Sequence, residues 1–180
     1  MTDHNSKVSR RELLKAAGIA GVGLTTSPLI HAHTAEEAEP AQRNASKNAT
    51  MIGVKFEPRD VIRLGIIGVG LRGTEVLGEF LAIDNVAVNA VCDVVKDKCL
   101  RAARLIEKAG QKTPRIYADG ERDFEHLVVR DDLDFIYIAT PWEWHVPQVL
   151  AALKNGKHVG TEVPAAYTLE DCWNIVNASE

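Results

Sequence analysis

The chain has 180 residues, with 21 Lys and Arg set against 25 Asp and Glu for a formal net charge of −4. That length holds one ordinary domain with additional segments, and mild acidity without a basic run argues against nucleic acid as a partner. The three cysteines, Cys92, Cys99 and Cys172, fall in no C-x-x-C or metal-ligand spacing, so they read as small core residues and no metal site is expected.

The first 35 residues read as an export signal. Ser9-Arg10-Arg11-Glu12-Leu13-Leu14-Lys15 is a twin-arginine pattern, and a Gly- and Ala-rich apolar segment follows from Ala16 to Leu24. That segment is too short for an ordinary membrane-spanning helix, and a small-residue cleavage point falls after Ala32 or Ala35. The alternative is an amphipathic helix that carries two arginines. The signal predicts a protein delivered to the periplasm or secreted, with the twin-arginine export machinery as a partner. Residues 36–60 are polar and without periodicity, as in a flexible linker. The sequons at Asn44, Asn48 and Asn177 are chance matches in a chain with a bacterial-type signal.

From residue 61 to 180 strands and helices alternate. Ile62 to Ile67 is an apolar run suited to a central parallel strand. Gly68-Val69-Gly70-Leu71-Arg72-Gly73 follows, then a helix over Leu71 to Ile83 with Val76, Leu77, Phe80 and Leu81 on one face. Val86 to Cys92 is the second strand, and Asp93 stands at its end, 20 residues past Gly73. Each part of this unit suits a dinucleotide. Gly68 permits the tight turn, Gly70 lets the backbone approach a pyrophosphate, and Gly73 lets the helix pack closely. The helix start directs free N–H groups at the same pyrophosphate. Asp93 can accept hydrogen bonds from the adenosine ribose and would repel a 2′-phosphate, which favours NAD over NADP, although Lys96 and Lys98 lie close enough to accommodate such a phosphate. The alternative is a glycine-rich packing turn.

A helix over Lys96 to Ala109 ends at Gly110, and a short strand is expected at Arg115 to Tyr117. A helix over Glu121 to Val129, a strand over Leu133 to Ala139, a helix over Trp144 to Lys154, a strand over His158 to Thr161 and a helix from Leu169 to Ala178 complete the pattern. This alternation predicts an α/β fold, a Rossmann-type doubly wound parallel sheet with its ligand outside the carboxyl ends of the strands. Two further unusual segments fall at such ends. In Thr140-Pro141-Trp142-Glu143-Trp144-His145, the tryptophans either wall a cofactor or sugar site or cap the core edge. His145, in a first helical turn, either hydrogen-bonds cofactor or substrate as a neutral imidazole or lies on the surface. In Glu162-Val163-Pro164, the carboxylate either meets a ribose hydroxyl at the nicotinamide end or is a solvated strand-end acid. His126, His158, Asp119, Asp123, Asp131, Asp132 and Asp134 fit no metal or triad spacing and read as surface or capping residues.

The fingerprint, the Thr-Pro…His loop and the Glu-x-Pro strand end resemble the N-terminal domain of the Gfo/Idh/MocA oxidoreductases. Gly68 to Gly73, Trp142 to His145 and Glu162 to Pro164 look most like the glycoside hydrolase family 109 branch, the NAD-dependent alpha-N-acetylgalactosaminidases. The resemblance implies NAD contacts at Leu71, Arg72, Asp93, Trp142, His145, Glu162 and Val163. The candidate cofactor-binding set is these residues with Gly68, Gly70, Gly73 and Thr140. The resemblance also implies a redox-neutral scheme on a sugar substrate: NAD takes hydride from C3, the ketone acidifies the C2 proton, the anomeric group is eliminated, water adds, and the hydride returns. Such a scheme suits export, since a periplasmic enzyme has no ready NAD pool for exchange. The broader family usually carries Glu-Lys-Pro, and Val163 cannot transfer protons as that lysine does, which weighs against ordinary alcohol oxidation. The family continues into a C-terminal substrate domain that holds its proton-transfer Tyr and His, so this sequence is expected to be a fragment, and no catalytic acid or base is assigned. The alternatives are a sugar or cyclitol oxidoreductase and a non-catalytic NAD-binding remnant. An unpaired sheet edge predicts marginal stability or self-association into a homo-oligomer.

Overall fold

The computed structural model describes residues 58–180, so the expected signal and most of the expected linker lie outside the described residues. Five strands form one parallel sheet in the order β3-β2-β1-β4-β5: β1 (Ile62–Ile67), β2 (Val86–Cys92), β3 (Arg115–Tyr117), β4 (Phe135–Ile138) and β5 (His158–Thr161). The connecting helices are α1 (Leu71–Leu81), α2 (Lys96–Lys108), α3 (Phe124–Val128) and α4 (His145–Lys154), with α5 (Leu169–Ser179) after β5. This is the expected doubly wound Rossmann-type architecture.

The apolar alternation of the strands builds a core on each face. Leu64 and Ile66 of β1 pack with Leu77 of α1 and with Cys99, Ala102 and Ile106 of α2. Ile67, with Ile136 and Ile138 of β4, packs with Phe124 and Leu127 of α3 and Val149 and Ala152 of α4. β1 is therefore covered on both sides, as its sequence requires. The chain turns away from β1 toward β2 first and toward β4 later, so the switch point lies between the ends of β1 and β4.

Several boundaries differ from expectation for local reasons. α1 stops at Leu81, because the Ala82 and Ile83 N–H groups turn back to Glu79 and Phe80 in a tight final turn. The fourth strand is shorter than Leu133 to Ala139. Leu133 enters the core, and the Asp134 carboxylate accepts hydrogen bonds from the Arg63 N–H, Nε and Nη2 at 3.0, 2.8 and 2.6 Å. Asp134 is thus a buried partner of β1 and not a surface residue, and Asp123 is also buried, accepting from the Asp119 N–H at 2.8 Å. Trp142–Trp144 forms a 3-10 turn, and the helix expected from Trp144 begins at His145. Cys92 and Cys99 are core residues, and burial pushes the Cys99 thiol up to about 11. Cys172 is exposed, contrary to expectation, because α5 has no buried residue and only its Ile175 packs on the core.

One side chain substitutes for a strand. β3 pairs only with Ala90–Cys92, which leaves the earlier part of the β2 edge open. The Gln111 carboxamide accepts from the Val88 N–H and donates to the Val86 carbonyl, both at 2.8 Å.

Candidate functional site: a groove at the strand ends

The turn after β1 is set by what its glycines touch. Gly68 adopts φ +87°, and a Cβ there would lie 2.6 Å from the Ala139 carbonyl oxygen at the end of β4. At Gly73 a Cβ would lie 1.9 Å from the Gly68 carbonyl oxygen, so the first turn of α1 closes directly on the loop. Gly70 is different: a Cβ would meet only the Lys98 Nζ, at 3.9 Å. The space in front of Gly70 is open, and no side chain caps the first turn of α1. Uncapped N–H groups facing an open space form a cradle for an anion such as a pyrophosphate.

Asp93 stands beside this cradle with its side chain 8% exposed. Its Oδ2 accepts from the Val69 N–H at 3.0 Å and its Oδ1 from the Val95 N–H at 2.9 Å, while the Lys98 Nζ lies 3.6 Å from Oδ1. The carboxylate thus holds the glycine turn against the end of β2 and keeps lone pairs for a ribose diol. A groove of about 490 Å³ runs past Gly68, Gly70, Asp93 and Lys98 to Thr140, Trp144 and Gln148. Of the sequence-predicted residues it brings together Gly68, Gly70, Asp93 and Thr140.

The others sit around it. Leu71 and Val163 are 85% and 79% exposed, on the same carboxyl edge of the sheet. Trp142 is half exposed, its ring edge-on to Tyr167 at 6.0 Å. Trp144 faces two ways, lining the groove and packing edge-on to Phe124 at 6.0 Å. His145 is fully buried, so the surface alternative does not hold, and the expected hydrogen bond to cofactor or substrate does not hold either, because both ring nitrogens are taken by backbone carbonyls. Its Nδ1 lies 2.8 Å from the Pro164 carbonyl oxygen and its Nε2 lies 2.9 Å from that of Thr140, tying the segment after β5 to the end of β4. Arg72 and Glu162 meet as an ion pair at 2.7 Å, and the Tyr137 hydroxyl donates to the same Glu162 oxygen at 2.6 Å. The Tyr137 and Arg72 hydrogen bonds hold the Glu162 carboxyl below the usual carboxylate range. Burial, and then the bond to Glu162, push the Tyr137 hydroxyl up to about 12.

Sequence reasoning missed Tyr137 and Gln148. Tyr137 reads as one more apolar strand residue, although it alone in Phe135-Ile136-Tyr137-Ile138 has a polar tip. Gln148, in the middle of α4, is buried and receives the Thr140 hydroxyl at 2.8 Å. Its placement in a helix with an apolar face was the available signal.

The family model for oxidoreductases with an NAD-binding Rossmann fold, Gfo/Idh/MocA, matches residues 62–180. A glycosyl hydrolase family 109 protein of Saccharopolyspora erythraea is 49% identical over 172 residues, which cover 96% of this chain and 37% of that protein. A protein of the same description from Streptomyces filamentosus is 45% identical over 185 residues, with coverage of 96% and 37%. The chain therefore spans little more than a third of the length of these relatives. Among solved structures, the myo-inositol dehydrogenase of Lactobacillus casei in complex with NAD(H) and myo-inositol has a TM-score of 0.57 and 27% identity, over 66% of this chain and 33% of that one. A glycine cradle open only at Gly70, a carboxylate locked at the end of β2 and a family match through every strand of the sheet agree: the chain belongs to the Gfo/Idh/MocA oxidoreductase family, and its described part is an NAD-binding Rossmann domain.

Proposed function

We propose that this domain holds NAD for a redox-neutral glycosidase whose full-length form hydrolyses alpha-N-acetylgalactosaminides. The observation that carries the reading is 49% identity, across 96% of this chain, to a protein described as a family 109 glycosyl hydrolase. When bound, NAD supplies a hydride acceptor and donor for a sugar carbon. The residues of this chain bind and orient it. The α1 N-terminus and Gly70 receive the pyrophosphate, Asp93 the adenosine ribose, and Glu162 a hydroxyl of the other ribose, with Trp142 as a wall at the nicotinamide end. Val163 presents an apolar side chain at that end, which suits chemistry that draws no proton from this position. The Arg10-Arg11 pattern supports export, and a returned hydride frees an exported enzyme from cofactor exchange.

The test is the full-length protein, purified without added cofactor and given an aryl alpha-N-acetylgalactosaminide. Release of the aryl group with no net NADH is the expected result. Stoichiometric NADH during steady turnover would overturn the reading. It would favour a second one, a sugar or cyclitol oxidoreductase, which the likeness to an inositol dehydrogenase supports.

A further inference from the structure

The hydroxyl of Tyr137 plays no part in the reading above, yet it sits where three elements converge. Strand alternation puts Phe135 and Tyr137 on the α1 side of β4, where the Tyr137 ring meets Phe80 edge-on at 5.3 Å. Gly160 of β5 leaves room for the ring, since a Cβ there would lie 3.2 Å from Tyr137 Cδ2. From this anchored ring the hydroxyl reaches the segment after β5 and donates to Glu162 Oε1 at 2.6 Å. Arg72 of α1 donates its Nε to the same oxygen at 2.7 Å, and its Nη1 lies 3.6 Å from Glu75 Oε2.

The two donors are unequal as anchors. The Arg72 side chain is 54% exposed and shared with Glu75, so its ion pair is screened and contributes little to fixing a geometry. The Tyr137 ring is held by packing, and a hydroxyl-to-carboxylate bond is among the stronger hydrogen bonds. With both donors on Oε1, the carboxylate keeps acceptor capacity toward solvent. We propose that Tyr137 is a positioning residue for the cofactor: its hydroxyl fixes the Glu162 carboxylate at the end of β5 so that the remaining lone pairs meet a ribose hydroxyl at the nicotinamide end of NAD. This rests on the NAD-holding role proposed above, and in particular on the ribose contact of Glu162.

The charged and titratable groups around Glu162 are Arg72 with Glu75 and Glu79 of α1, and Tyr137 of β4. The proton stays on Tyr137, whose hydroxyl is held well above neutrality, so the carboxylate is the acceptor at working pH.

The experiment titrates NAD into the full chain and its variants by calorimetry. Tyr137→Phe keeps the ring and removes only the hydroxyl, and about tenfold weaker NAD binding is expected. Glu162→Gln is expected to weaken NAD at least as much, and the double variant to bind no more weakly than Glu162→Gln alone. Without its hydroxyl donor, Glu162 takes up its proton at higher pH, so the acid limb of NAD binding moves up in Tyr137→Phe. A packing role would not move that limb, which decides the matter if Tyr137→Phe also lowers the melting temperature. Wild-type NAD affinity and acid limb in Tyr137→Phe, beside a weakened Glu162→Gln, would overturn the positioning role and leave the ribose contact standing. So would losses that add in the double variant. Undiminished NAD binding by Glu162→Gln would overturn both.

Discussion

At Asp134 one carboxylate joins two strands, accepting three hydrogen bonds from Arg63 and lying 3.3 Å from the Arg59 Nε. The Arg63 side chain, above all, lowers its pKa to about 2 from the ordinary carboxyl value of 3.8. A depressed carboxyl contributes stability that is complete above the unfolded value and lost as pH falls through the folded one. Asp134→Asn is therefore expected to cost about 2 kcal/mol at neutral pH. Denaturant titrations should show the gap between the two proteins closing as pH falls from 3.8 toward about 2. Asp93→Ala is expected to weaken NAD by about tenfold or more and NADP by less, because only NAD offers two ribose hydroxyls to the carboxylate. Parallel titrations of both cofactors check this, and equal losses would remove the ribose role. The two aspartates also differ in how readable they are. Asp93 follows a glycine turn at the spacing that suits a dinucleotide. Asp134 stands beside Leu133 in a run of acids, and nothing local shows that β1 will bring Arg63 against it.

At the scale of elements, β1, β2 and β4 were legible as apolar runs, and β3 and β5 from their place in the strand–helix alternation. Their ends were less legible, since they depend on partners distant in sequence. β4 is short because Asp134 turns to Arg63, and α4 begins late because a 3-10 turn carries Trp142–Trp144 across the switch point. Gln111 belongs to the same class: it reads as a loop residue after a helix cap and acts as a piece of a strand. Gln111→Leu leaves the Val88 N–H and the Val86 carbonyl without their partner. The expected cost is about 1–3 kcal/mol in the free energy of unfolding. NAD affinity should be unchanged, since Gln111 lies outside the groove, and denaturation beside an NAD titration separates the two effects.

At the scale of the molecule, the carboxyl edge of the sheet carries both the groove and several exposed apolar side chains, Leu71, Trp142, Val163 and Tyr167 among them. Removing such side chains from water would favour association. The chain is expected to self-associate as its concentration rises, seen by sedimentation, and Leu71→Ser with Val163→Ser should reduce it. The fold class and the location of the cradle were legible because strand order in a doubly wound sheet dictates where a ligand lies. The burial of His145 was not, because it depends on Pro164 approaching from the far side of β5. Leu71, Trp142 and Val163 stand over the same edge through which a dinucleotide must enter and leave. Any surface that buries them roofs that passage, and a cofactor beneath such a roof departs only when the roof lifts. Its residence time is then governed by that opening and not by the polar contacts in the groove, so NAD under a covered edge would leave more slowly than NAD under a bare one.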